Sequence, residues 1–202
     1  MILFKSKVIF FSTYVYGNPE YLPIDENHLT SPLNPYTQSK LISEDLCMAY
    51  NRDFDIPITI FRPFNIYGAG QSSFFFIPTI VNQLDNEIIE LNDSRPKRDF
   101  IHIDDVVEAV YLAIASNENQ AKIFNLGSGI STSVEEIVNL IIRISRSKSY
   151  VNFSEKIRQG EILDTVADIS KIKKELKWQP QVSLEVGIKS TIIARNKNLY
   201  KC

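Results

Sequence analysis

Asn34-Pro35-Tyr36-Thr37-Gln38-Ser39-Lys40 begins a helical stretch that reaches Phe54, and Ile58-Thr59-Ile60-Phe61 follows it across Pro57. Leu41, Ile42, Leu46, Met48, Ala49 and Phe54 are the apolar positions of a predicted helix over 36–54. Upstream, Val8-Ile9-Phe10-Phe11 is a continuous apolar run that stops at Ser12, which predicts a buried strand over 7–11. The connection over 18–35 holds four prolines and reads as a loop. Strand, helix and strand of these lengths predict a parallel βαβ unit, and so an α/β fold. Sheets of this kind bind ligands at the carboxyl ends of their strands. Ser12 and Arg62-Pro63 both fall at such ends.

Tyr36 and Lys40 are four residues apart, so they share one helix face, one turn from each other. A lysine cation beside a phenol favours the phenolate. That suits the tyrosine to general acid–base chemistry near neutral pH. Of the nine tyrosines, this one alone is followed by a lysine at that spacing.

The rest of the chain alternates short strands and helices. A helix is predicted from about Phe74 to Leu84, and strands over 88–91, 122–126 and 151–153. Asp104 is the predicted cap of a helix from Asp105 to Ser116. Thr132 with Glu135, or Ser133 with Glu136, has the spacing of a capping box for a helix over 134–146. Helices at about 169–177 and 185–196 are separated by Pro180. The four lysines of Lys171–Lys177 read as a solvated helix face.

Composition narrows the function class. The chain has 202 residues, 44% hydrophobic and 23% charged, as in ordinary globular proteins. A net charge of −2 gives no electrostatic footprint for nucleic acid or an anionic membrane. Only two cysteines and two histidines occur, and none has zinc spacing. Cys47 reads as a small buried hydrophobe, and the cytoplasm, a reducing compartment, is the expected location. No segment approaches the ~20 apolar residues of a membrane span, and the apolar start is too short for a signal peptide.

Four motifs in order carry a family resemblance: Ser12-Thr13-Tyr14-Val15-Tyr16-Gly17, Tyr36 with Lys40, Arg62-Pro63-Phe64-Asn65-Ile66-Tyr67-Gly68, and Arg98-Asp99-Phe100-Ile101-His102. Over about residues 8–185 the chain resembles the extended short-chain dehydrogenase/reductase family, in particular its NAD-dependent nucleotide-sugar epimerases and dehydratases. The resemblance implies the C-terminal portion of a Rossmann-like parallel sheet with a small α/β substrate-binding domain. Residues 1–70 would be an incomplete dinucleotide-binding portion. Residues 71–202 would be mainly substrate-binding, with 99–126 returning to the Rossmann core. It implies Ser12, Tyr36 and Lys40 as catalytic residues, with Tyr36, Lys40 and Pro63 also at the cofactor. Ser12, Asn65, Arg98 and Arg158 would hold a nucleotide-diphosphate sugar. Arg158 is placed by Arg158-Gln159-Gly160-Glu161, which resembles an Arg-Pro-Gly-Asp element with two positions changed. Phe76-Ile77-Pro78 would border the nucleobase, and His102 would be structural.

The implied cofactor is NAD, with NADP as the alternative. The family's glycine-rich turn and ribose-binding residue are not found among the 202 residues. Gly127-Ser128-Gly129-Ile130-Ser131-Thr132 lacks a third glycine and matches a later, non-nucleotide position of the family. These 202 residues alone are therefore expected to bind NAD weakly, to be inactive or incomplete, and to present the 7–11 strand as an unpaired edge. A second copy of the chain or a separate N-terminal half would be the protein partner. Where 4,6-dehydratases carry Asp and Glu after the catalytic hydroxyl, this chain has Thr13 and Tyr14. That favours C4 epimerisation over loss of water. A reductase of the same fold and a non-enzymatic remnant are the alternatives.

Overall fold

The computed structural model describes residues 7–12, 14–154, 156–157 and 160–197. In chain order its elements are β1 (Val8–Phe11), α1 (Pro35–Phe54), β2 (Ile58–Pro63), β3 (Asn65–Tyr67), α2 (Phe76–Asn82), β4 (Ile88–Leu91) and β5 (Lys97–His102). There follow α3 (Ile103–Ala115), β6 (Lys122–Leu126), β7 (Ser131–Ser133), α4 (Val134–Ser145), β8 (Tyr150–Phe153), β9 (Asp164–Thr165), α5 (Ser170–Leu176) and α6 (Leu184–Asn196). The mixed α/β architecture with parallel strands agrees with expectation. No described helix is long and apolar enough to cross a membrane.

β1, β2 and β6 form a parallel sheet in that order, with Phe11 opposite Phe61 and Phe61 opposite Phe124. β1 is an edge among the described residues, so Val8 and Phe11 are partly exposed and not buried as the apolar run predicts. β5 is the centre of a second sheet, parallel to β3 and β9 and antiparallel to β7. β4 and β8 pair separately.

Strand alternation in β5 divides two cores. Phe100 joins Ile80, Ile137 and Ile188 in a cluster built by α2, α4 and α6. Its neighbour Ile101 joins Phe61, Phe124, Val106 and Trp178 around the parallel sheet, α3 and α5. The same alternation sends Arg98 to the side of Phe100, and Asp99 to that of Ile101.

Caps explain the helix limits. Asn34 caps α1 and shares a capping box with Thr37, with Pro35 in the first turn, where its missing N–H costs nothing. α1 ends at Asp55, which adopts a left-handed φ of 53°. Its buried positions are Thr37 and Glu44, while Ile42, Leu46, Met48 and Phe54 are exposed. Cys47 is half-buried rather than core. The α3 cap is His102, not Asp104, because its Nδ1 accepts from Asp104 N at 3.3 Å and draws the helix start back to Ile103. For α4 the box is Ser133 with Glu136. The Ser133 backbone N–H and hydroxyl both donate to Glu136, holding that carboxyl below its ordinary range. Ser133→Ala is expected to lower stability by about 1 kcal/mol in urea unfolding, with the unfolding slope unchanged.

Candidate active site

The carboxyl ends of β1 and β2, the start of α1 and the entry to α2 enclose a cleft of about 730 Å³. Ser12, Tyr36, Lys40, Pro63 and Asn65, from three separate stretches of the sequence, all line it. Ser12 ends β1, and its backbone N–H donates to Phe61 O at 2.9 Å. That bond fixes the backbone and leaves the side chain to the cleft. Ser12 Oγ is buried with no hydrogen-bond partner among the described residues. Leaving such a hydroxyl unpaired costs roughly 1–3 kcal/mol. A ligand oxygen would recover that energy, and a purely structural serine would have no reason to forgo it.

Tyr36 and Lys40 stand one turn apart on α1. The Lys40 ammonium lies 5.5 Å from the Tyr36 ring centroid and 5.7 Å from that of Phe10. Tyr36 is 58% exposed, so its phenol faces the open cleft. The helix carrying them is tied down one turn further on. Glu44 accepts from Arg62 Nε at 3.0 Å and from its second terminal nitrogen at 2.6 Å. Both residues are buried. Arg62 also donates to Tyr16 Oη at 3.0 Å, and Tyr16 donates to Asn125 Oδ1 at 2.5 Å. Burial pushes the Tyr16 phenol up to about 12, although Arg62 opposes the shift, so it stays a neutral donor. Arg62 is thus a salt-bridged residue at the end of β2. Gly17 makes the following turn at φ +67°, where a Cβ would collide with Ser31 O.

A second, more polar cavity of about 420 Å³ continues the first past Asn65 and Phe100 toward Arg98 and Glu161. Arg98 pairs with Glu161 and donates to Lys97 O at 2.8 Å. Its guanidinium therefore already holds an anionic group. Arg158 lies outside the described residues. Asn65 is fixed from two sides: its Oδ1 accepts from Tyr14 Oη at 2.9 Å, and its Nδ2 donates to Asp99 O at 3.2 Å. Nδ2 carries two hydrogens, so one remains for a ligand. Phe76 and Ile77 line the first cleft, but Ile77 and Pro78 belong to the buried face of α2.

Asp99 has no counterpart among the sequence candidates, although it anchors the site. Its Oδ1 accepts from Ser128 N and Oγ, each at 2.6 Å; its Oδ2 accepts from Gly129 N at 2.9 Å and Ala167 N at 3.1 Å. Burial raises its carboxyl above the usual range, and these donors pull the other way. In the Gly127-Ser128-Gly129 loop, Ser128 and Gly129 thus give their N–H groups to an internal carboxylate rather than to a phosphate. Asp99→Asn turns an NH2 toward backbone donors. It should cost at least about 2 kcal/mol, read by denaturant titration, and accelerate amide exchange at Ser128 and Gly129.

His102 is structural, with Nε2 3.3 Å from Ser190 Oγ. Tyr67 Oη is buried with no hydrogen-bond partner among the described residues, and burial raises its pKa. It faces Gly187, where any side chain would strike it.

Residues 4–191 match the family model described as GDP-mannose 4,6 dehydratase. The chain is 35% identical over 189 residues to the uncharacterized UDP-glucose epimerase YtcB of Bacillus subtilis, covering 93% of this chain and 59% of that protein. Among solved structures it is similar to the UDP-glucose 4-epimerase of Thermotoga maritima with UDP-glucose, with a TM-score of 0.88 at 29% identity over 96% of this chain and 64% of that one. It is also similar to the UDP-glucuronic acid 4-epimerase of Bacillus cereus in complex with UDP-glucuronic acid and NAD, with a TM-score of 0.87 at 30% identity over 96% and 62%. The chain spans about three-fifths of the length of these proteins.

Proposed function

We propose, on the premise that the chain belongs to the extended short-chain dehydrogenase/reductase family of NAD(P)-dependent nucleotide-sugar epimerases and dehydratases, that it carries the sugar-side apparatus of a nucleotide-sugar 4-epimerase. The observation that carries this reading is the make-up of the cleft. An unpartnered serine hydroxyl and a tyrosine–lysine pair share it, and no Asp or Glu lines it among the described residues. Eliminating water needs an acid and a base beside the departing group. A cleft lined without carboxylates supports epimerisation in preference to dehydration, although the matching family model bears a dehydratase's description.

The lining fits the nicotinamide half of NAD. Lys40 and Tyr36 stand together, Ser12 Oγ awaits a partner, and Pro63 closes the strand end with no N–H of its own. When bound, NAD accepts a hydride from the sugar carbon and returns it. Ser12 donates a hydrogen bond to the sugar oxygen and holds it at Tyr36. Tyr36 takes the hydroxyl proton as the ketone forms and gives it back after the sugar has presented its other face. Lys40, with its ammonium 5.5 Å from the Tyr36 ring centroid, sets a cation beside that phenol. Asn65 and Arg98 hold the diphosphate, the guanidinium fork suiting a phosphate as it suits Glu161. A reducing compartment such as the cytoplasm suits this reading, since Cys47 is a free cysteine.

The test is a fusion in which this chain follows the N-terminal segment of a relative. Incubation with NAD and UDP-glucose or UDP-glucuronic acid is expected to give a product of unchanged mass and inverted C4. A product lighter by one water would overturn the reading.

A further inference from the structure

Tyr14 has a conformation that its residue type disfavours. It sits at φ +52°, in the left-handed region, where a Cβ-bearing residue costs about 1–2 kcal/mol. A glycine or asparagine would occupy this turn without that cost, and Tyr14 is 54% exposed. What the conformation achieves is placement. Tyr14 stands where the cleft of Ser12 and Tyr36 meets the polar cavity of Arg98 and Glu161, lining both together with Asn65, Phe75, Phe76 and Phe100. The hydroxyl donates to Asn65 Oδ1 at 2.9 Å, which orients the Asn65 amide between Asp99 O and the cavity.

We propose that Tyr14 is the platform for the pyranose ring of the nucleotide-diphosphate sugar. This rests on the nucleotide-sugar reading above. A sugar whose carbinol carbon reaches Ser12 and Tyr36, and whose diphosphate reaches Arg98, must pass the junction of the two cavities, and Tyr14 lines that junction. An aromatic face offers the C–H face of a pyranose an apolar contact. The ring and the hydroxyl have separable tasks. The ring bears the sugar, and the hydroxyl positions Asn65 for the diphosphate.

Two variants separate them. Tyr14→Gly removes ring and hydroxyl at a backbone angle that glycine adopts freely, so the fold is kept. Tyr14→Phe removes only the hydroxyl. Isothermal titration of this chain with UDP and UDP-glucose, and with GDP and GDP-mannose, gives the affinity added by the sugar as the ratio of the two dissociation constants. The ratio is expected to exceed one in the parent chain. In Tyr14→Gly it should fall by roughly five- to tenfold, the scale of an aromatic contact. In Tyr14→Phe it should be unchanged. Both variants should lose affinity for the nucleoside diphosphate equally, through Asn65. A ratio retained in Tyr14→Gly, lost equally in Tyr14→Phe, or equal to one in the parent overturns the platform while nucleoside-diphosphate binding keeps the substrate class. Absence of binding by any of the four probes to the parent chain overturns both.

Discussion

Tyr36→Phe is expected to lower turnover by roughly 10²–10⁴-fold in the fusion assay, the usual loss for a positioned acid–base group. The ring, its stacking under Lys40 Nζ and the helix start all survive the change, since none depends on the phenolic oxygen. Affinity for the nucleotide sugar should therefore change little. The loss should appear in kcat, and kcat/KM should fall in parallel, as for a group that acts in the transition state. Ser12→Ala should cost less, because a hydrogen bond to the reacting oxygen is lost while the proton acceptor remains. It should also stabilise the unliganded fold slightly, because its buried hydroxyl has no partner to lose among the described residues. That combination, slower but more stable, is the signature of a group kept for its ligand. Unchanged turnover in a folded Tyr36→Phe protein would remove the tyrosine from the mechanism.

The second large effect is on stability. Glu44 and Arg62 are a buried, doubly bonded ion pair, with side-chain exposures of 3% and 7%. Removing one partner leaves an uncompensated charge, and Glu44→Ala or Arg62→Met should each cost about 3–5 kcal/mol in denaturant unfolding. Replacing both with apolar residues of similar volume should recover much of that loss, because the desolvation cost of the pair disappears with it. Activity should not recover equally. Glu44 lies one turn beyond Lys40 and two beyond Tyr36 on the same helix face, and Arg62 precedes Pro63. The pair thus sets where α1 sits against the end of β2. A double variant with restored stability and full turnover would show that the pair has no positioning role.

The site was partly legible because its chemistry has local spacing. Tyr36 and Lys40 are one helical turn apart, and Ser12 and Pro63 close apolar runs, so period and punctuation expose them. Glu44 carried the same spacing signal, but a charged residue on an amphipathic helix reads as solvent-facing unless its partner is known. Its partner is 18 residues away in sequence, across the turn to β2. Asp99 gave no signal at all. Its four donors come from residues 29 to 68 positions away, and they meet only when β5, β9 and the loop after β6 are assembled.

By itself the sequence determined the α/β class, the βαβ unit, most helix limits and the tyrosine–lysine pair, because each depends on neighbours within one or two turns of chain. Tertiary structure alone decided the rest. Short β3, β7 and β9 exist only through their pairing with β5. α1 exposes Ile42, Leu46, Met48 and Phe54 and buries Thr37 and Glu44, because what a helix face meets depends on the sheet packed against it. Arg98 is bound to Glu161 and Tyr14 to Asn65 for the same reason. Hydrogen bonds and ion pairs reach about 3 Å, and distance along the chain carries no information about distance in space until the backbone has closed its loops.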